Sequence, residues 1–121
     1  MLARRTLLAG APATFGKSMT RFGLFGKLLA VAGKRDELAA LLLEAAHMLG
    51  QDAQCLLYLI NVSDKEPDAI FVTEVWAARS AHAASLQRED VRALIAKARP
   101  LLSGGGERFE LTVLGGKGLE A

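Results

Sequence analysis

At 121 residues the chain is long enough for one domain with one modest core, and too short for a catalytic domain beside a separate binding domain. Hydrophobic residues make up 51% of it against 23% charged, which excludes a disordered or fibrous chain. Taking Arg4, Arg5 and Lys17 from the 15 basic residues leaves 12, against 13 acidic, so the domain proper is about neutral and lacks the positive field that nucleic-acid backbones require.

Cys55 is the single cysteine, so no internal disulfide forms and no second thiol stands at zinc-ligand spacing. Its place in the apolar run Cys55 to Ile60 suits a small buried hydrophobe, and no metal site is expected. Residues 1–18 read as a flexible leader or targeting segment. Ala3-Arg4-Arg5-Thr6-Leu7-Leu8 looks like the start of a twin-arginine export signal, and Ala11-Pro12-Ala13 suits a small-residue cleavage site, but the apolar stretch between them is very short. The alternatives are an unstructured leader, or a start at Met19. The cytoplasm is the expected location, with export as the alternative; no run approaches transmembrane length, so no membrane partner is expected.

The domain is predicted over 19–115. Arg21 to Val31 reads as a first strand that stops at Ala32-Gly33. A helix follows, with Leu38, Leu41, Leu42, Ala45 and Met48 or Leu49 at three- and four-residue steps, Asp36 and Glu37 at its positive end, and Gly50 as its stop. Gln54 to Val62 and Ala69 to Trp76 form an antiparallel hairpin across the link Ser63 to Asp68. A second helical region runs from Arg79 or Ser80, with Val91, Leu94, Ile95 and Ala98 on its later apolar face, until Pro100 and Gly104 to Gly106 end it. Arg108 to Leu114 alternates Phe109, Leu111 and Val113 with polar residues, the pattern of a half-buried last strand, and 116–121 trails off as a flexible tail.

The order βαββαβ, with right-handed crossovers, gives a ferredoxin-like α+β fold: a four-stranded antiparallel sheet with the helices on one face. The unbroken run Leu56 to Ile60 puts apolar side chains on both faces of the second strand. The face away from the helices therefore needs cover, and a homodimer through the sheet supplies it.

Thr73-Glu74-Val75-Trp76, followed by Ser80-Ala81-His82-Ala83-Ala84-Ser85-Leu86-Gln87, resembles the antibiotic biosynthesis monooxygenase family. So do Phe22 to Val31 with Gly33-Lys34-Arg35-Asp36-Glu37-Leu38, and Val91-Arg92-Ala93-Leu94. The resemblance implies a dimeric α+β barrel with a pocket between sheet and helices in each subunit. It also implies a cofactor-independent oxidation of a quinol, anthrone or similar small aromatic by dioxygen. Heme-degrading relatives carry an asparagine on the first strand and a histidine on the second helix; Gly26 and Leu86 stand at those positions here and argue against heme degradation.

Glu74 and Trp76 have the same parity on one strand, so they share a face where an acid and an indole can hold and polarise a phenol. Alternatively Trp76 is a core aromatic and Glu74 pairs with an arginine. His82 is the general-base candidate, since its ordinary pKa is near neutral, against the alternative of a structural or exposed histidine; His47, late in the first helix, is the weaker candidate. Tyr58 either hydrogen-bonds a quinol oxygen or fills the dimer interface. A non-catalytic small-aromatic-binding protein would use the same residues. An RNA recognition motif shares the element order, but the third strand lacks that motif's basic-Gly-aromatic opening and carries an acid.

Overall fold

The computed structural model describes residues 20–119; the expected leader and Met19 lie outside them, as do the last two residues. The elements in chain order are β1 (Arg21–Leu29), α1 (Arg35–Leu49), β2 (Cys55–Ser63), β3 (Glu66–Trp76), α2 (Arg79–Ser85), α3 (Glu89–Ala98) and β4 (Glu107–Val113), with a 3₁₀ turn at Arg99–Leu101. The four strands form one antiparallel sheet in the order β2-β3-β1-β4, the ferredoxin-like α+β arrangement expected from the element order. Among the described residues no helix is long and apolar enough to cross a membrane.

Three local departures from the expected elements have physical causes. β3 begins at Glu66, so the hairpin closes over Asp64 and Lys65 rather than over the longer link. Pro67 is tolerated because it falls where the β2–β3 register shifts, between the pairs Asn61↔Phe71 and Ser63↔Glu66, so the missing N–H leaves no ladder bond unmade. The second helical region is two helices. Arg88 is extended (φ −67°, ψ 139°), and Asp90 accepts from both the Arg88 guanidinium and the Val91 N–H, so a fresh helix start with Glu89 and Asp90 in its first turn replaces a continuous helix. Gly50 caps α1 in the right-handed region (φ −61°), so it ends the helix without using glycine's left-handed freedom.

Strand parity divides the sheet into two faces. Phe22, Leu24, Gly26 and Leu28 of β1 lie opposite Trp76, Glu74, Val72 and Ile70 of β3, and this side packs against the helices. The core there has two parts. Ala30, Leu38, Ile70, Val72, Ala98 and Leu101 form one, Phe22, Leu24, Leu49, Trp76 and Val91 the other, and Tyr58 packs against both.

The other face, carrying Phe25, Phe71 and Phe109, is open. Phe25 stacks on both of the other rings at 6.4 Å between centroids. Phe109 and Leu111 are half-exposed, which corrects the expectation of a half-buried β4: the register sets them beside Phe25 and Gly23, away from the helices, while Arg108, Glu110 and Thr112 share the helix side. Beyond β4, Gly116 and Leu119 pair across a tight turn with a hydrogen bond of 3.2 Å.

Leu38 has no exposed surface and anchors α1 to the sheet. Leu38→Ala is expected to lose about 2–5 kcal/mol of unfolding free energy, by lost transfer energy plus the cavity left behind, as measured by urea denaturation.

Candidate functional site

The two core parts do not close on each other completely. Between sheet and helices lie an outer cavity of about 240 Å³ and an inner one of about 110 Å³, and Leu42, Tyr58, Glu74, His82 and Leu86 border both. Apolar walls with a few convergent polar groups are the usual makings of a small-molecule site. A larger hollow of about 360 Å³ at the end of the sheet, lined by Arg79, Glu110 and backbone-rich strand ends, is more open and more polar, and it borders neither His82 nor Glu74.

β3 supplies Glu74 and Trp76, whose two-residue spacing turns both toward the helices. Trp76 is 1% exposed, and its Nε1–H donates to Glu74 Oε1 at 2.9 Å. It is therefore a core aromatic whose indole also borders the inner cavity. The hydrogen-bond partner of Glu74 is this indole and not an arginine. Burial pushes the Glu74 carboxyl pKa above its ordinary value, while the Trp76 hydrogen bond and then the charge of Arg108 act against the rise.

His82 comes from α2, whose start at Arg79, straight after β3, swings the imidazole back over the strand end. Its ring meets Trp76 edge-on at 5.5 Å and lies 5.7 Å from Phe22. Nε2 stands 3.9 Å from Glu74 Oε1, too far for a hydrogen bond and close enough for attraction once the ring is protonated. Burial lowers the His82 pKa from its ordinary value, Arg108 and Arg79 lower it further, and Glu110 acts in the opposite sense. The imidazole is thus neutral at neutral pH and free to accept a proton.

Tyr58 pairs with Glu74 across the β2–β3 ladder and borders both cavities. Of its two alternatives the sheet-to-sheet interface falls away, because the ring is on the helix face, not on the open one. Burial, then the charge of Glu74, pushes its phenol pKa up, so the hydroxyl stays a neutral donor. His47 is exposed in the last turn of α1 and borders neither cavity. Gly26 and Leu86, the positions set against the heme-degrading pattern, both line the outer cavity.

Sequence reading missed Arg108. It sits opposite Gly26, lines the outer cavity and acts on both Glu74 and His82. The signal was available in parity, since Arg108 and Glu110 must share a face, but parity does not say which face the helices cover. Among the described residues no three His, Cys, Asp or Glu side chains cluster as metal ligands would.

Fold and site together define a small α+β protein with an apolar cavity between sheet and helices and an acid–histidine pair in its wall. The antibiotic biosynthesis monooxygenase family model matches residues 22–97, and the chain belongs to that family. A Chloroflexus aurantiacus protein assigned to the antibiotic biosynthesis monooxygenases is 40% identical, with a TM-score of 0.75 over 82% of this chain and 98% of that one. A Nitrosomonas europaea protein of unknown function, NE2512, is 25% identical, with a TM-score of 0.69 over 83% and 95% of the two chains. A Caulobacter crescentus protein, also assigned to the antibiotic biosynthesis monooxygenases, shares the fold at 21% identity, with a TM-score of 0.71 over 78% and 90%. No curated protein matches the sequence. Family membership makes the chain a monooxygenase-like enzyme.

Trp76→Phe removes the N–H that favours the Glu74 carboxylate, so the Glu74 pKa is expected to rise further. Carbon-13 NMR titration of the side-chain carboxyl reads this directly, and an unmoved midpoint would reduce the indole to packing.

Proposed function

We propose that the chain is a cofactor-independent monooxygenase that oxidises a quinol, anthrone or similar small aromatic with dioxygen, working as a dimer joined through the open sheet face. The observation that carries the reading is His82, held neutral in the wall of an apolar cavity with Glu74 3.9 Å from its Nε2. A phenol or anthrone that loses a proton becomes an electron-rich anion able to reduce dioxygen itself. The protein then has to bind a flat ring, remove the proton and exclude bulk water.

The residues divide that work. His82 takes the proton, and the Glu74 carboxylate stabilises the imidazolium that results. Trp76 holds Glu74 in place, and the Tyr58 hydroxyl donates to a ring oxygen of the substrate. For an anthrone, the ring methylene becomes a carbonyl: two C–H bonds break, one atom of dioxygen enters the new C=O bond, and the other leaves as water with both hydrogens. Dioxygen accepts four electrons and the substrate supplies all four, so no further reductant enters the balance.

The dimer reading rests on the open face. Leu59, Phe109 and Leu111 are each about half-exposed there, beside the stacked rings of Phe25 and Phe71, and a second sheet packed on this face would cover them. Phe109→Glu is expected to convert a dimer into a monomer in light scattering behind size exclusion. A wild-type chain that runs as a monomer would sink the dimer.

Oxygen uptake with a panel of naphthoquinols and anthrones tests the reaction. His82→Ala is expected to lower kcat by roughly 10²–10⁴-fold, the range for loss of a general base. In the wild type the base form is lost as pH falls through the His82 pKa, so the acidic limb of kcat/KM should have its midpoint below the ordinary histidine value of 6.5. Uptake no faster than autoxidation, alongside tight binding of the aromatic, would instead indicate a non-catalytic binding protein.

A further inference from the structure

The outer cavity ends at β4, where Arg108 lies across from Gly26. Gly26 leaves space on its side of the cavity: a Cβ there would meet only the Glu107 carbonyl, at 3.5 Å. Arg108 lines the cavity with a side chain that is 60% exposed, so it keeps access to solvent and to an incoming solute.

Its one ion-pair partner among the described residues is Glu110, at 3.3 Å from Nη2. Glu110 is already better held, because Arg79 Nη1 donates to its other oxygen at 2.8 Å. One carboxylate therefore serves two guanidinium groups. The shorter bond belongs to Arg79, which is also fixed by stacking on the Phe22 ring at 4.5 Å. Arg108 can leave Glu110 without stranding an unpaired acid, because the shorter bond from Arg79 remains. Arg108 is thus an exchangeable guanidinium beside apolar walls, although Glu107 also borders the cavity, and a guanidinium fork matches a carboxylate in a bidentate pair.

We propose that Arg108 is the docking group for a carboxylate on the substrate, so that the aromatic taken up is an anion with its charged end at the mouth and its reacting ring against His82. The carboxylate subsite is a property of binding; only the reaction of the ring at His82 rests on the oxygenase reading. Leu24, Leu28, Leu42 and Leu86 supply the apolar walls for the ring. The substrate class narrows from any quinol or anthrone to one bearing a ring carboxylate.

Calorimetric titration of the purified full chain with naphthoate and with naphthol, an anion and a neutral of similar shape at neutral pH, tests the subsite without turnover. The wild type is expected to prefer naphthoate. In Arg108→Gln the ratio of the naphthol Kd to the naphthoate Kd should fall roughly tenfold or more, since a lost charge-assisted bidentate pair removes at least one factor of ten. Arg108→Lys should restore part of it, as a point charge without the fork. Using a ratio removes any general effect of the variant on the cavity. No wild-type preference, or a ratio unchanged in Arg108→Gln, overturns the proposal. Oxygen uptake with a naphthoquinol and its ring carboxylate separates the two readings. Arg108-dependent naphthoate binding without uptake from either quinol keeps the subsite and overturns the oxygenase, while uptake without the naphthoate preference keeps the oxygenase and overturns the subsite.

Discussion

The site depends on one hydrogen bond, from the Trp76 indole N–H to Glu74 at 2.9 Å. A carboxylate facing an apolar cavity has to be paired, protonated or expelled. The indole settles this with a neutral donor, which holds the acid without cancelling its charge. Trp76 is itself packed among Phe22, Leu24, Leu49 and Val91, and this packing positions the donor and the oxygen that accepts from it. His82 then meets a fixed carboxylate edge and a fixed indole edge, an arrangement that sets the ring's position before any ligand arrives.

The same strand explains why the chain has two apolar sheet faces. β3 is central, between β1 and β2. Ile70, Val72, Glu74 and Trp76 look toward the helices, while Ala69, Phe71, Thr73 and Val75 look away from them. Val75 is buried and Phe71 half-buried even without a second sheet, because Phe25 and its neighbours on the open side already lie against one another. A strand apolar on both sides cannot be a half-solvated edge, and the helices of one chain cover only one side of it.

Much of this was legible in the sequence, and the failures share a cause. Period two and the helical spacing of Leu38, Leu42, Ala45 and Leu49 marked the elements, and the parity of Glu74 and Trp76 put the acid beside the indole correctly. Periodicity states which residues share a face, but not which face the helices cover. In β4 the natural assumption, apolar inward, was wrong: Arg108 and Glu110 turn toward the cavity and Phe109 turns to the open face. Tyr58 was left open for the same reason, since every neighbour in Leu56 to Ile60 is apolar and no contrast fixes a face. The α2–α3 break was hidden by an alanine-rich stretch that suits helix throughout, although Glu89 and Asp90 carried the signal of a new helix start.

Several charges of the domain pair off locally, whereas the mouth of the cavity shares one carboxylate between two arginines. Lys27 pairs with Glu66, Lys34 with Glu37, and Arg88 with Asp90 and Asp52, each closing locally. At the mouth two arginines divide Glu110, and the remaining positive field is felt inside: it lowers the His82 pKa and opposes the rise that burial forces on Glu74. An anion on Arg108 would cancel part of that field. That would favour protonation of His82, against the further desolvation that a bound ring brings. Charge recognition at the mouth and basicity at the ring are two readings of a single guanidinium.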